Sequence, residues 1–221
     1  MLTAFGVTIA RTLEDVCTPR EMALVVYDAQ VGIFAQIKDG PRVLARTEAA
    51  VAAARAAGMR IVYTRHLSLP RAWMGSFAHR MGMAWQRVDR PEAVKPWFLR
   101  DGPGFPVVPS LTPRADEVVI DKIAMSAFEG TPLATMLRDC GLRAIAIVGA
   151  ATEIGIEPTA RHAADLGIVP VLLTDACGAG HPEAAERSLA SLAFSGDAIL
   201  SDTESFARLL GQSGATQAPS R

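Results

Sequence analysis

The stretch AIAIVGAATEIGIEPT, residues 144–159, decides the fold that this sequence predicts. It begins with an apolar run of the length of a buried β-strand, passes through a Gly-Ala-Ala turn and enters a helix. A strand that leads directly into a helix brings backbone N–H groups and the positive end of the helix dipole to one point. We therefore expect the chemistry of the protein here, at a site suited to a developing negative charge.

Outward from this stretch, apolar runs alternate with helical segments along the chain. The runs have the length of buried parallel strands, and proline-start and glycine-stop signals bound several of the helices between them. The six predicted strands are residues 23–27, 60–64, 117–121, 144–148, 169–174 and 198–201. This order predicts a doubly wound, Rossmann-like α/β fold, in which helices cover both faces of a six-stranded parallel sheet in three α/β/α layers.

A long insertion over residues 67–113 interrupts the alternation. It carries all three tryptophans, and connections of this length are usually functional. Trp73, Phe77, Met81 and Trp85 recur every four residues, as on one face of a helix. That face either forms a wall of the substrate pocket or packs on the body or on another subunit. We expect a single domain over residues 1–210 and a disordered tail over residues 211–221.

Charged residues follow two of the predicted strands. Asp28 comes directly after the first strand and Lys122 after the third. Because the carboxyl ends of parallel strands meet at one edge of the sheet, both residues and the GAATEIG turn point to a single cleft. A functional role is favoured for Asp28 over that of a turn former, whereas Lys122 is either a catalytic cation or half of a salt bridge at the rim. Glu153 is either a general base or an acid that stabilises the first turn of its helix.

The composition excludes several classes of protein. The 221 residues are 50% hydrophobic and carry a formal net charge of -1, which indicates neither disorder nor nucleic-acid binding. No apolar run reaches the roughly 20 residues that span a bilayer, and the N-terminal sequence has no basic leader. We expect a cytoplasmic protein that contacts neither nucleic acid nor membrane.

Three segments in this order, YDAQVGIF, DKIAMSAFEGT and IVGAATEIGIEPTARHAADLGIVPVLLTDAC, resemble the isochorismatase-like hydrolases, also called the cysteine hydrolases. The resemblance covers nearly the whole core. By position, it implies that Asp28 is the acid/base aspartate of the family and that Lys122 is its lysine. It also implies a non-proline cis peptide bond between Ala150 and Ala151, with the N–H groups of Ala151 and Gly155 directed at a substrate oxygen.

The resemblance ends at the nucleophile, because Gly155 stands where most of the family has cysteine. Without a thiolate, the usual route through a thioester is closed. The isochorismatases are similar in having glycine at this position; in them the aspartate protonates a vinyl ether and water adds to the resulting cation. This chain lacks the Tyr-Ala-His and Trp-Arg-Tyr motifs of that branch and has Ala-Thr-Glu and Ile-Ala-Met instead. Glu153 would also repel a dianionic substrate.

The sequence leads us to expect neither a metal nor a cofactor. The three cysteines, Cys17, Cys140 and Cys177, show no disulfide or zinc spacing, although Cys177 follows a strand end where active sites gather. The metal site of the nicotinamidases does not carry over either. No acid precedes His66, and we interpret His66 as a loop histidine.

The resemblance implies a hydrolase of a small organic substrate that acts without cysteine, through Asp28 and Lys122, on a vinyl ether or a related C–O bond. Two alternatives stay open: direct attack of water on an amide or ester with Glu153 or Asp28 as base, and a non-catalytic relative that only binds. Members of the family are commonly oligomers, and we expect a homodimer or homotetramer. The candidate substrate-binding residues are Glu153, Trp73, Phe77, Trp85 and Phe128.

Overall fold

A six-stranded parallel sheet forms the centre of the protein, which is described over residues 2–215 in a computed structural model. Two short strands at the N-terminus form a separate antiparallel hairpin, which the sequence analysis missed. The strands are β1 (Leu2–Ala4), β2 (Val7–Ile9), β3 (Met22–Tyr27), β4 (Arg60–His66), β5 (Val118–Lys122), β6 (Ala144–Ala150), β7 (Val169–Gly178) and β8 (Ile199–Ser201). The order across the parallel sheet is β5-β4-β3-β6-β7-β8. The predicted sheet is confirmed.

Helices cover both faces of this sheet, as the alternation predicts. In chain order they are α1 (Val31–Phe34), α2 (Gly40–Ala56), α3 (Ser76–Gln86), α4 (Leu133–Asp139), α5 (Glu157–Asp165), α6 (Pro182–Ser195) and α7 (Thr203–Ala215). Helices α2 and α7 contribute to the apolar core on one face, and α4, α5 and α6 to the core on the other. Among the residues described, no helix has the length and apolar character needed to cross a bilayer.

Strand β3 lies in the middle of the sheet and is buried throughout. Its side chains alternate between the two cores, so that Met22, Leu24 and Val26 pack on the α2 face. Ala23, Val25 and Tyr27 pack on the face of α4, α5 and α6. The side chain of Tyr27 therefore ends on the same side of the sheet as α5, which is the helix that follows the GAATEIG turn.

The last helix is longer than the sequence predicts. We expected residues 211–221 to be a disordered tail, but α7 continues to Ala215, so residues 211–215 are helical. Phe206 and Leu210 are buried in the core beside α2 and anchor this helix. Residues 216–221 lie outside the described part of the chain.

The insertion over residues 67–113 is held against the carboxyl end of β3. The buried amide of Gln30 donates from Nε2 to the carbonyl oxygens of His66 (3.1 Å) and Phe105 (2.9 Å), and its Oε1 accepts the His66 N–H (2.6 Å). A Cβ at Gly32 would lie 3.0 Å from the Cα of Gly104, so a glycine is required for this close approach of two backbones. These contacts place the aromatic residues of the insertion above the sheet edge.

Candidate active site

A cavity of about 370 Å³ opens at the carboxyl ends of β3, β5 and β6. Its floor consists of residues from the strand ends and from the turn after β6. One wall comes from the insertion, and another from the loop between β7 and α6. The lining includes Tyr27, Asp28, His66, Trp85, Arg87, Trp97, Phe98, Met125, Ala150, Ala151, Glu153, Gly155 and His181.

Asp28 and Lys122 meet at the bottom of this cavity. The Lys122 Nζ lies 2.8 Å from the Asp28 Oδ2, and the side chains are 0% and 5% exposed, respectively. Asp28 has a φ of 43°, in the left-handed region that aspartate tolerates better than most residues. Lys122 is half of a salt bridge, which was one of the two roles that the sequence left open, but the pair is buried in the cleft and does not lie at the rim.

Thr64, at the end of β4, fixes the Asp28 carboxylate from the other side. Its hydroxyl oxygen accepts the Asp28 N–H at 3.1 Å and donates its own hydrogen to the Asp28 Oδ1 at 2.6 Å. Each carboxylate oxygen of Asp28 thus accepts a hydrogen bond, one from the threonine and one from the lysine. Both oxygens face hydrogen-bond donors, an arrangement that suits a carboxylate as acceptor.

Lys122 uses all three of its hydrogens at this point. Besides Asp28, it donates to the Tyr27 hydroxyl oxygen at 2.7 Å and to the Ala124 carbonyl oxygen at 3.2 Å. The Tyr27 hydroxyl in turn donates to the Met125 carbonyl oxygen. Asp28, Lys122 and Tyr27 therefore form one continuous chain of hydrogen bonds at the base of the cavity.

Gly155 lies directly against the end of Tyr27. A Cβ built at Gly155 would lie 2.0 Å from the Tyr27 Oη and 2.4 Å from its Cζ. Such distances are far below van der Waals contact, so the phenol occupies the space into which any side chain at position 155 would project. At the position where the resemblance implies a cysteine in most of the family, the space for a side chain is taken by Tyr27.

The turn after β6 contains the cis peptide bond between Ala150 and Ala151 that the resemblance implies. A π-helical turn over Thr152–Ile156 follows it and leads into α5. The Gly155 N–H donates to the Ala151 carbonyl oxygen at 3.0 Å inside this turn. This corrects the expectation that the Gly155 N–H points at a substrate oxygen, because an N–H within a helical hydrogen bond is already satisfied. Ala151 does line the cavity.

Glu153 faces the cavity from this turn. Its Oε1 accepts the backbone N–H of His181 at 2.6 Å, which ties the turn to the loop between β7 and α6. Its Oε2 is buried and has no hydrogen-bond partner among the described residues. A buried carboxylate oxygen without a donor is unfavourable, so this atom is a candidate acceptor for a group on a ligand.

His66 is the last residue of β4 and lines the cavity, which corrects its interpretation as a loop histidine. Its ring lies edge-on to those of Trp85 (6.2 Å between centroids) and Phe98 (5.8 Å). Burial lowers the pKa of His66 to about 4, while the charges of Asp28 and Lys122 act in opposite directions. The imidazole is therefore neutral near pH 7.

The candidate substrate-binding residues separate into two groups. Trp85 and Glu153 line the cavity beside Asp28. Trp73 and Phe77 do not; they are 77% and 66% exposed and border a second, outer groove of about 1160 Å³. Phe128 is buried and packs near the His162 ring, so its expected contact with substrate is not supported. Trp73 precedes α3 rather than belonging to it, which is why the four-residue spacing misplaced it.

The cavity lining contains none of the three cysteines. Cys17 is buried, and burial raises its pKa to about 12. Cys177 is held by a contact from its Sγ to the Ile147 carbonyl oxygen (3.5 Å), and burial raises its pKa as well. Cys140 is exposed at the end of α4. In the part of the chain that the structure describes, no group of three or more histidine, cysteine or acidic side chains could hold a metal ion.

The fold and the site define a class of α/β proteins. They have a parallel six-stranded sheet and a buried acid–lysine pair at the carboxyl ends of the strands. Comparison with known proteins places the chain within that class, since the model of the Isochorismatase domain matches residues 22–205. The chain therefore belongs to the isochorismatase family and is an isochorismatase-like hydrolase.

Individual relatives agree with this assignment. The ureidoacrylate amidohydrolase RutB of Enterobacter sp. (strain 638) is 28% identical over 190 residues, which are 77% of this chain and 80% of the relative. The protein of the same name from Acinetobacter baylyi is 29% identical over 211 residues, 85% of this chain and 83% of that one. The crystal structure of a cysteine hydrolase from Pseudomonas syringae pv. phaseolicola 1448A has a TM-score of 0.75 at 23% identity, covering 89% of this chain and 95% of that chain. The last likeness supports the fold.

Proposed function

We propose that this protein hydrolyses the C–N bond of a small amide or ureido compound by direct attack of water, with Asp28 as the general base and without a cysteine nucleophile. The observation that carries the proposal is the pair of hydrogen bonds that Asp28 accepts, from Thr64 on one oxygen and from Lys122 on the other. A carboxylate that lines the cavity can take a proton from a water molecule in it.

The absence of a nucleophilic side chain at position 155 supports direct attack. The family resemblance places a cysteine at Gly155, and here the Tyr27 phenol fills that space. The thiols of Cys17 and Cys177 are buried with raised pKa values, and neither belongs to the cavity lining. Since the thiolate rather than the thiol is the nucleophile, these residues are poor substitutes.

The cavity lining supports a substrate with an N–H group. Glu153 presents a buried carboxylate oxygen without a donor, which an amide or ureido N–H would satisfy. Trp85, Trp97 and Phe98 provide an apolar wall for the rest of a small molecule. The relatives named ureidoacrylate amidohydrolase act on a substrate of this class by their name. A dianion would be repelled by Glu153.

In the proposed reaction, Asp28 takes a proton from a water molecule and the resulting hydroxide adds to the carbonyl carbon. The C–N bond then breaks, the acyl group leaves as an acid and the nitrogen leaves as an amine. The cleavage of a vinyl ether, which the resemblance to isochorismatases implied, would require Asp28 to donate a proton first. The hydrogen bonds from Thr64 and Lys122 oppose that protonated form, and we therefore place this reaction second.

A hydrolysis screen of the wild type beside Asp28→Asn tests the proposal. The panel contains N-carbamoyl amino acids, primary amides, aryl esters and vinyl ethers, with release of ammonia, phenol or carbonyl product as readout. We expect C–N cleavage by the wild type and a loss of about 10²- to 10⁴-fold in Asp28→Asn. Asp121→Asn is the matched control, because Asp121 lies in β5 beside Lys122 but pairs with Arg65 and Arg100 and does not line the cavity.

Three results would count against the proposal. Cleavage of vinyl ethers alone would replace the base mechanism with the acid mechanism. An unchanged rate in Asp28→Asn would remove Asp28 from the reaction. Binding of panel compounds without cleavage of any would indicate a relative that only binds.

A further inference from the structure

The Tyr27 phenol does more than fill the space beside Gly155, because its hydroxyl is hydrogen-bonded to the lysine that also binds Asp28. Its Oη lies 2.0 Å from the point that a Cβ of residue 155 would occupy, and Tyr27 lines the cavity together with Asp28. It accepts a hydrogen bond from the Lys122 Nζ at 2.7 Å. The same Lys122 Nζ lies 2.8 Å from the Asp28 Oδ2. One ammonium group therefore connects the phenol with the carboxylate.

The phenol itself is protonated. Its hydroxyl donates to the Met125 carbonyl oxygen, which a phenolate could not do. Burial, and then the neighbouring Asp28 charge, raises the pKa of Tyr27 well above its ordinary value. The phenol therefore holds a proton near neutral pH, and Tyr27 is among the residues that line the cavity.

We propose that Tyr27 is the general acid of the reaction, which gives its proton to the departing nitrogen and regains it from Asp28 through Lys122. The inference rests on the proposed hydrolysis of a C–N bond. Amide nitrogen is a poor leaving group unless it is protonated as the bond breaks, so a base alone would leave the reaction incomplete. A nitrogen placed above Gly155 would compete with the Met125 carbonyl for the phenol hydrogen.

The proton transfers balance over one turnover. Asp28 takes a proton from water while the C–O bond forms, and Tyr27 gives a proton to nitrogen while the C–N bond breaks. The Lys122 ammonium then reprotonates the phenolate, and the protonated Asp28 returns a proton to the Lys122 amine. Both of the last two transfers use hydrogen bonds that are present in the structure. Water and the substrate have become an acid and an amine, and the protein is unchanged.

Tyr27→Phe tests this role on two substrates that share one acyl group and differ in the leaving group. One is an anilide or simple amide, and the other is a nitrophenyl ester, whose leaving group departs as a stable anion. We expect kcat/KM to fall by about 10²-fold or more for the amide and by less than about threefold for the ester. Circular dichroism and the midpoint of thermal unfolding show whether the variant is folded.

A conservative replacement guards against loss of structure in Tyr27→Phe. Fluorotyrosine incorporated at position 27 keeps the shape and the hydroxyl but is a stronger acid. We expect fluorotyrosine to support amide hydrolysis within about tenfold of the wild type, because it keeps a proton to donate. Amide hydrolysis as low with fluorotyrosine as with phenylalanine, in a protein that remains folded, would overturn the proposal.

The failures of the two proposals are distinguishable. Equal losses for amide and ester in Tyr27→Phe, with Asp28→Asn inactive on both, would leave the hydrolysis standing and overturn the role of Tyr27. Full amide activity in Tyr27→Phe would do the same. A wild type that cleaves neither substrate would overturn both proposals.

Discussion

The floor and the aromatic wall of the cavity are built in opposite ways. At the floor, Tyr27 and Asp28 line the cavity and Thr64 and Lys122 lie directly behind them; all four side chains are buried, and each polar group is matched by a hydrogen bond. The aromatic wall, Trp85, Trp97 and Phe98, comes from the insertion and makes edge-on ring contacts, and its two tryptophans are more than a third exposed. Directional hydrogen bonds between buried groups tolerate little change, whereas apolar contacts adapt. In the proposed mechanism, the floor carries the reaction and the wall selects the substrate, so substitutions in the two regions should differ in size and kind.

The largest expected effect comes from removing the cation of the floor. Lys122→Met leaves the Asp28 carboxylate buried without its partner, and we expect the free energy of unfolding to fall by about 3 to 5 kcal/mol. Urea denaturation measures this loss. Arg143→Met is the control, because Arg143 pairs with Glu21 at the surface, where such a pair contributes about 1 kcal/mol or less. Equal losses in both variants would contradict the distinction between a buried and an exposed pair.

His66 lies between the floor and the aromatic wall, and its lowered pKa predicts that the stability of the protein depends on pH. Its pKa is about 4 in the folded protein, against about 6.5 in an unfolded chain. As the pH falls below 6.5, the unfolded chain binds a proton that the folded protein does not, so stability is lost down to pH 4. We expect this loss to be roughly 2 to 3 kcal/mol between pH 7 and pH 4.5 and to be absent in His66→Gln. Parallel stability curves for the two proteins would refute the assignment.

A substitution at Gly155 tests whether the Tyr27 phenol leaves room for a side chain at position 155. Gly155→Ala places a methyl group against the Tyr27 phenol, and we expect a cost of about 1 to 3 kcal/mol. Gly75→Ala is the control, since no atom lies within 4 Å of a Cβ there. Truncation of the phenol in Tyr27→Val should make the Gly155 substitution less costly, so a double-mutant cycle should show coupling. Additive effects of the two substitutions would mean that the phenol does not exclude a side chain at position 155.

The smallest expected effect belongs to the wall. Trp85→Leu removes part of an apolar surface, and we expect KM to rise by about tenfold with kcat nearly unchanged. Phe77→Leu changes the same helix outside the cavity and should leave both constants alone. If Trp85→Leu lowered kcat as much as Asp28→Asn does, the wall would take part in the chemical step and not only in substrate binding.

The fold and the location of the site could be predicted because both follow from local patterns. Asp28 and Lys122 directly follow buried runs, and parallel strands bring such positions to one edge. The contacts of Tyr27 could not be predicted in the same way. Alternation along a strand assigns neighbouring side chains to opposite faces, but the positive φ of Asp28 turns the chain so that both Tyr27 and Asp28 reach Lys122.

The wall was predicted less well, because it depends on contacts between distant parts of the chain. Trp97 and Phe98 lie outside any periodic segment, so no spacing indicated that they line the cavity. The four-residue spacing of Trp73 and Phe77 predicted that they share one face of a helix, but it did not show that this face borders the outer groove. The one signal that was overlooked is the tyrosine that ends an otherwise aliphatic strand, since a buried phenol needs a hydrogen-bond partner.

The central claim, hydrolysis without a cysteine, is tested most directly by a chain that has none. Cys17, Cys140 and Cys177 are replaced together by alanine, and hydrolysis of the best amide or ureido substrate is measured beside the wild type and Asp28→Asn. We expect the cysteine-free protein to retain kcat/KM within about threefold, while Asp28→Asn loses about 10²-fold or more. Loss of hydrolysis in a cysteine-free protein that remains folded would show that a thiol takes part and would contradict the account.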